Sequence, residues 1–218
     1  MKILIGLKTK IFIGILVLFI GTFSIAYRYN RTVQIITLVL VHNYIYPSTK
    51  FRVDGDKLYM TGLISSLTPG QLKKLIDENP EIKTIVLEHI DGSLDDASNF
   101  PMGKYVREKG LNTYLNSDSE VSSGGTDFFL SGVNRTIEEG AYLGVHSWEG
   151  MGDGDPIEAK DIPKEDPQHR ANAEYINYML GSEDFYWYTI YAAPADGMHQ
   201  MTKDEILKYK VATKIIKN

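Results

Sequence analysis

The sequence predicts an α/β domain with a mostly parallel sheet and right-handed crossovers, preceded by an N-terminal transmembrane helix. Two observations carry this prediction. From Phe51 onward, short runs rich in β-branched residues alternate with amphipathic stretches that carry helix-capping residues. Ahead of them lies one long uncharged apolar run. We therefore expect a membrane anchor and juxtamembrane segment over residues 1–48 and the α/β domain over residues 49–218.

The composition narrows the class of function. The chain has 218 residues, enough for one domain with a sizeable core, and a formal net charge of −5. Lysine and arginine are scattered, so no nucleic-acid partner is expected. The absence of cysteine excludes disulfides, thiolate metal sites and a cysteine nucleophile. No two histidines have metal-ligand spacing and no calcium-loop pattern occurs, so we expect neither a metal nor a cofactor.

The run from Ile11 to Tyr27 contains 17 residues without a charge, and Arg28 ends it. Such a helix spans roughly 26 Å, the short end of a membrane span. Three lysines precede it, which keeps the N-terminus cytoplasmic and puts the domain on the extracytoplasmic side, held by contact with membrane lipid. A cleaved signal peptide stays open, because Ser24–Ala26 is a small-x-small site. A buried soluble helix fits poorly, since the run is apolar all round.

The second apolar stretch, Val33–Tyr46, is too short to span a membrane alone. It is predicted either at the membrane interface or packed against the domain. The domain then opens with two strands around the turn Asp54–Asp56. A helix follows with Thr68 as its N-cap and Pro69 at its first position. The β-branched segment Lys83–Ile90 is typical of a buried parallel strand.

The remaining elements follow from the same signals. Asp91–Gly92 predicts a turn, and the helix after it ends at Gly110. Further along, Gly, Pro and acidic residues predict a mobile surface loop over residues 147–168, and His169, which follows it, is expected at the surface. The other predicted elements are a strand at Leu111–Leu115, a helix at Ser122–Val133, a strand at Ala141–Ser147, a helix ending before Gly181, a helix or strand at Ser182–Pro194, and a helix capped by Thr202.

Ser123 is the first candidate for chemistry. It precedes Gly124–Gly125 at a predicted helix start, where unpaired backbone N–H groups can stabilise an oxyanion. An ordinary helix cap is the alternative, since serine is favoured there and Ser122 or Thr126 would serve equally.

His146 and the turn at Asp91–Gly92 are the second and third candidates. His146 ends a predicted parallel strand, where α/β sheets place their sites, and a neutral imidazole is the usual general base. The alternative is a histidine bonded only to backbone. The turn can direct backbone N–H groups into a cleft, although a plain strand-to-helix turn explains it equally well.

Taken together, these three features resemble the Clp-type serine peptidases of the crotonase-like superfamily, most of all a bacterial membrane-tethered or periplasmic branch. The resemblance covers roughly Phe51 to Asn218. Its main segments are "TIVLEHIDGSLDDA", "VSSGGTDFFLSGVNR" and "AYLGVHS". It implies a Clp/crotonase-like fold, a peptide or protein substrate and no cofactor. Family members commonly form rings or trimers, and the aromatic run Phe185–Tyr191 would suit a homo-oligomer contact.

The resemblance also assigns roles to residues. It makes Ser123 the nucleophile and His146 the base. Oxyanion N–H groups would come from Gly124 and from Asp91 or Gly92, although Asp91 replaces a family glycine and puts an acid beside that hole. The third triad member would be an acid after the long helix that follows the base, where Asp184 and Asp196 lie, and Asp196 is our choice. An eroded scaffold that binds an envelope or membrane partner is the rival hypothesis. Acyl-thioester chemistry is disfavoured, because export removes the protein from coenzyme A.

Overall fold

The computed structural model describes residues 20–28, 30, 33–34, 37, 48–151 and 156–217. The chain divides into two compact units, Met1–Tyr46 and Pro47–Asn218.

In the first unit, residues 20–28 are helical, and the Ser24 hydroxyl donates to the Ile20 carbonyl within this helix. Within the described ranges, no helix is both long enough and apolar enough to cross a bilayer. Most of the span predicted at Ile11–Tyr27 lies outside the described residues, as does most of Val33–Tyr46.

The second unit is built on a nine-stranded, mostly parallel sheet, as predicted. Its strand order is β10-β7-β5-β3-β4-β6-β11, with β2 also paired to β3 and β1 to β2, while β8 and β9 form a separate hairpin. The strands are β1 (Thr49–Asp54), β2 (Lys57–Ile64), β3 (Thr84–Ser93), β4 (Asn112–Leu115), β5 (Glu120–Ser122), β6 (Arg135–Glu138), β7 (Tyr142–Val145), β8 (Glu149–Met151), β9 (Pro156–Glu158), β10 (His199–Gln200) and β11 (Lys214–Ile216).

The sheet branches along β3, its longest strand. The first half of β3 pairs in parallel with β4 through Thr84–Val86, and the second half pairs in parallel with β5 through His89 and Ile90. Along its other edge β3 pairs with β2, with register shifts around Gly62. Because β5 continues to β7, the end of β3 lies in the branch that carries Ser123 and His146.

The predicted helices form, and the aromatic stretch Ser182–Pro194 contains a helix rather than a strand. Thr202 caps the last helix as predicted, in a capping box with Glu205. Thr68, in contrast, is the first residue of its helix and not its N-cap, which is Leu67. Its hydroxyl accepts from the Ser65 N–H. The helices are α1 (Thr68–Glu78), α2 (Asp96–Glu108), α3 (Gly124–Phe129), α4 (Arg170–Leu180), α5 (Asp184–Ala192) and α6 (Lys203–Lys208).

The structure corrects the prediction of a mobile surface loop after β7. The described part of this segment contains the β8–β9 hairpin and two short 3-10 helices, Ala159–Asp161 and Pro167–His169. The strands β5, β6, β10 and β11 were not predicted, since they have two to four residues each and show no clear periodicity.

The core lies between the sheet and the helices. Phe128 and Phe129 of α3 are fully buried, and Tyr175 of α4 stacks on Phe100 of α2 with ring centroids 4.4 Å apart. The aromatic run that suggested an oligomer contact contributes Phe185, Tyr186 and Ile190 to this core, while Tyr191 is exposed. The burial of α3 fixes the start of that helix against the end of β3.

Candidate active site

Ser123 occupies the junction between β5 and α3 in a strained conformation. Its backbone has φ 54° and ψ −130°, and it is one of two non-glycine residues with positive φ in the described part of the chain. Such a conformation costs on the order of 1–3 kcal/mol and occurs mainly at functional sites. The Ser123 N–H donates to the Gly144 carbonyl at 3.0 Å, and the Ser123 carbonyl accepts from Thr126 N at 2.8 Å. The junction is therefore anchored to both β7 and α3.

His146 directly follows β7 and reaches the serine hydroxyl. Its Nε2 lies 2.8 Å from Ser123 Oγ, and its Nδ1 lies 3.1 Å from the carbonyl oxygen of Ala195. Because a carbonyl can only accept, Nδ1 carries the ring proton in the neutral imidazole. Nε2 is then free to accept the proton of the serine hydroxyl. The contact thus has the polarity that a general base requires.

The structure does not bring Asp196 to the imidazole. The Ser147 N–H donates to the Ala193 carbonyl at 2.9 Å, which draws the chain after α5 against the end of β7. In this position the main-chain oxygen of Ala195 faces Nδ1. The Asp196 carboxylate makes no hydrogen bond or ion pair with any described residue. A neutral backbone oxygen therefore orients the ring where an acid was expected.

Glycines let the two sides of the site approach closely. Gly92 has φ 144°, and a Cβ at this position would lie 3.2 Å from Ser123 Cβ and 3.5 Å from Ser123 Oγ. A Cβ at Gly124 would collide with the side chain of Ser93. A Cβ at Gly125 would lie 2.6 Å from Ile90 Cγ2. The end of β3 and the start of α3 therefore pack backbone to backbone beside the hydroxyl.

Polar contacts around α3 also fix the site. Asn99 of α2 is fully buried, and its Nδ2 donates to the Gly124 carbonyl at 2.8 Å. The Thr126 hydroxyl donates to the Gly144 carbonyl at 2.8 Å. The N–H of Gly124, at the first position of α3, donates to no acceptor among the described residues. This N–H is therefore available to a ligand beside Ser123.

Asp91 and His89 both lie on the exposed face of β3. Gly92 lies on the other face, which is buried, because successive residues of a strand alternate between the two faces. His89 Nδ1 is 3.8 Å from Glu120 Oε2, so its neighbour is a carboxylate of β5. The carbonyl of Asp91 accepts from the Ser122 hydroxyl at 3.2 Å. The main chain at Asp91 is thus tied to β5, one residue before Ser123.

A partly buried acid lies on α3 itself. Loss of hydration on burial, together with the nearby charge of Asp96, raises the pKa of Asp127 to about 8. The Asp127 carboxyl group has no hydrogen-bond or ion-pair partner in the described parts of the chain. At neutral pH this group therefore holds a proton in the folded protein.

The structure also corrects the expected position of His169. It is 2% exposed, with Nδ1 2.5 Å from the Tyr186 hydroxyl and Nε2 3.3 Å from the Ile162 carbonyl. Tyr186 in turn accepts from the indole N–H of Trp148 at 3.0 Å. This chain of hydrogen bonds holds Trp148, two residues beyond His146. Among the residues that the structure describes, no group of acids and histidines is arranged to hold a metal ion.

Comparison with known proteins rests on structure alone, because neither a protein-family model nor a curated protein matches the sequence. A mutant of the 1510-N membrane-bound stomatin-specific protease, in complex with a substrate peptide, superposes with a TM-score of 0.52 at 19% identity, over 72% of this chain and 73% of that chain. A second mutant of that protease gives a TM-score of 0.51 at 18% identity, over 76% and 81%. An enoyl-CoA hydratase/isomerase from Marinobacter aquaeolei gives 0.50 at 10% identity, over 79% and 72%.

The domain has a Clp/crotonase-like fold. Within the Clp/crotonase-like domain, β3, β5 and β7 bring Gly92, Ser123 and His146 to one end of the sheet branch. Sequence reasoning missed the Ala195 carbonyl, because any residue type offers one. It also missed Asn99, which no sequence pattern separates from the other polar residues of α2.

Proposed function

We propose that the protein is a serine hydrolase that cleaves peptide bonds with Ser123 as nucleophile and His146 as base. One observation carries the proposal. The Ser123 hydroxyl lies 2.8 Å from His146 Nε2 while the serine backbone has a positive φ. A helix cap has no need of that conformation, whereas an exposed nucleophile on a sharp strand-to-helix turn does. The stomatin-specific protease bound to a peptide motivates the choice of peptide substrates.

The geometry supports a sequence of proton transfers. The Ser123 oxygen attacks the substrate carbonyl carbon while its proton passes to His146 Nε2. The imidazolium then donates this proton to the leaving amine, and the C–N bond breaks to leave an acyl-enzyme. Water then attacks the ester carbon while one of its protons passes to Nε2. The ester C–O bond breaks, the imidazolium returns the proton to the Ser123 oxygen, and the acid leaves.

The oxyanion is assigned to backbone donors on both sides of Ser123. The N–H of Gly124 is one of these donors, and the main chain at Asp91 or Gly92 supplies the other. The close approach of Gly92 to the Ser123 hydroxyl supports this assignment. Removing one such donor from a serine hydrolase costs on the order of 10²–10³ in kcat.

The Ala195 carbonyl, and not the Asp196 carboxylate, orients the imidazole in this proposal. The carbonyl fixes the tautomer through its contact with Nδ1. A neutral oxygen stabilises a developing imidazolium less than a carboxylate does. We therefore expect a slower enzyme than one with a complete Ser-His-Asp triad.

We also infer that the N-terminal region anchors the protein in a membrane with its domain on the extracytoplasmic side. The uncharged run Ile11–Tyr27 and the three lysines before it motivate this inference. Carbonate extraction and added protease test it in intact cells with a permeable outer layer. Retention in the membrane pellet with digestion of the domain supports it, whereas release by carbonate or full protection contradicts it.

Labelling with a fluorophosphonate probe tests the catalytic proposal. The wild-type protein should be labelled, and Ser123→Ala should abolish labelling. His146→Ala should slow labelling by about 10³-fold or more, the range of general-base removal. Ser122→Ala is the matched control, because this serine is the adjacent residue and its hydroxyl, in the described part of the chain, donates to the Asp91 carbonyl and not to His146. Labelling that survives in Ser123→Ala, or none in the folded wild-type protein, would favour the eroded scaffold.

A further inference from the structure

A polar cavity of about 310 Å³ lies between two segments that also border the candidate site. One wall is the chain that leaves His146, with Trp148 two residues further on. The other wall is the start of α2, where Asp96 follows Ser93 by three residues. Ser93 in turn packs against Gly124, the residue after Ser123. The residues that line the cavity are Asp96, Trp148, Glu149, Gln168 and Asn172.

The lining has the chemistry of a site for a cation. It combines two carboxylates, two carboxamides and an indole, and no lysine or arginine is among these lining residues. A ring face attracts a guanidinium by cation–π interaction, and carboxylates bind its N–H groups in pairs. The edge of Trp148 is already used, since its Nε1–H donates to the Tyr186 hydroxyl. Trp148 is only partly buried and lines the cavity, so the part of the ring that borders the cavity is open to a ligand.

The indole is also held in place. Gly150 lies so close to it that a Cβ there would be 3.0 Å from Trp148 Cζ3 and 3.4 Å from Gln168 Oε1. The hydrogen bond to Tyr186 fixes the opposite side of the ring system. An aromatic platform that is fixed before binding loses little side-chain entropy when a ligand stacks on it.

We propose that this cavity binds a basic side chain of the substrate, arginine in preference to lysine, close to the bond that is cleaved. The guanidinium stacks on Trp148, and its N–H groups donate to Asp96 and Glu149. Arginine is preferred because its planar group satisfies both contacts together, whereas an ammonium is a compact point charge. This inference rests on the proposed peptidase activity and names the substrate class of that same site.

Peptide binding to the Ser123→Ala variant, which lacks the proposed nucleophile, tests the cavity separately from the hydrolysis reaction. The full-length protein in detergent micelles is titrated with fluorescent peptides that differ only in carrying arginine, norleucine or glutamate at one position. We expect arginine to bind at least about tenfold more tightly than norleucine, and glutamate more weakly than both. Equal affinities for arginine and norleucine would overturn the proposal.

Substitution of the two carboxylates tests whether Asp96 and Glu149 cause the preference for arginine. Asp96→Asn with Glu149→Gln should reduce the preference for arginine to within about twofold, and Asp96→Lys with Glu149→Lys should shift it to glutamate. Asp184→Asn is the matched control, because it removes an exposed carboxylate from the first turn of another helix. Unchanged preference in both double variants would overturn the proposal. The reversal by lysine is a readout that a purely structural role of the two carboxylates would not produce.

Fluorophosphonate labelling of the wild-type protein distinguishes a wrong cavity assignment from a wrong hydrolase proposal. If Ser123 is labelled but the arginine preference is absent, the hydrolase proposal stands and the cavity assignment is wrong. If arginine is preferred but Ser123 is not labelled, the cavity binds basic peptides and the hydrolase proposal is wrong.

Discussion

Gly92 offers a precise test of the site, because its conformation and its distance to Ser123 make separate contributions. At φ 144° an alanine is strained, which costs on the order of 1–3 kcal/mol of folding stability. The new methyl carbon would also lie 3.2 Å from Ser123 Cβ and 3.5 Å from its Oγ. Ser123 Cβ must then move by a few tenths of an ångström, which carries its Oγ away from the position that contacts His146. Because misplacement of a nucleophile by about 1 Å costs on the order of 10²-fold in rate, this smaller shift should cost up to about tenfold.

Gly181→Ala separates these two contributions. Gly181 ends α4 with φ 80°, and a Cβ there would meet no atom within 4 Å. Both variants should therefore lose folding stability in urea unfolding, by about 1–3 kcal/mol. Only Gly92→Ala should show slower fluorophosphonate labelling, by up to about tenfold. Labelling at the wild-type rate in Gly92→Ala, or an equal loss in both variants, would refute the argument that Gly92 is required for access to the Ser123 hydroxyl.

Three further predictions follow from single contacts. Asp196→Asn should leave the labelling rate within about twofold of wild type, because Ala195 and not Asp196 contacts the imidazole; a loss as large as that of His146→Ala would contradict this. Asp127 has a folded-state pKa of about 8, raised from the value near 4 of the unfolded chain, so the folded protein binds the extra proton and loses stability as pH rises from about 4 to 8. Asp127→Asn removes this loss, and its stability relative to wild type in urea unfolding should increase by on the order of 4 kcal/mol between pH 5 and pH 8, about 1.4 kcal/mol for each pH unit; an unchanged difference would show that Asp127 is not held protonated. Tyr186→Phe removes the hydroxyl that links Trp148 to His169 and should cost about 1–3 kcal/mol, with a shift in indole fluorescence, whereas neutrality in both measurements would contradict the assigned hydrogen bonds.

The sequence was sufficient to predict the order of the longer elements. The β-branched run at β3, the Pro69 helix start and the Thr202 cap are local signals, and each produces the expected element. The short strands β10 and β11 were beyond this reasoning, because two or three residues carry no periodicity. They form because a neighbouring strand already offers an edge.

The candidate site, like the fold, could be predicted from the sequence only in part. Ser123 and His146 could be singled out, since their residue types and their places at element ends are visible in the sequence. The structure brings them within hydrogen-bond distance through the pairing of β5 with β7. The group that orients the imidazole could not be found in this way, because it is the backbone carbonyl of Ala195. The burial of His169 was also hidden, since it depends on the packing of α5 against the segment after β7.

Mapping the fluorophosphonate adduct by tandem mass spectrometry tests the central claim most directly. The tryptic peptide that holds the site contains several hydroxyl residues, among them Ser122, Ser123 and Thr126, so fragmentation must locate the phosphonyl group on one of them. Attachment to the Ser123 oxygen, at a rate that His146→Ala strongly reduces, is the predicted result. An adduct on Ser122 or Thr126, or an adduct on Ser123 that forms equally fast without His146, would contradict it.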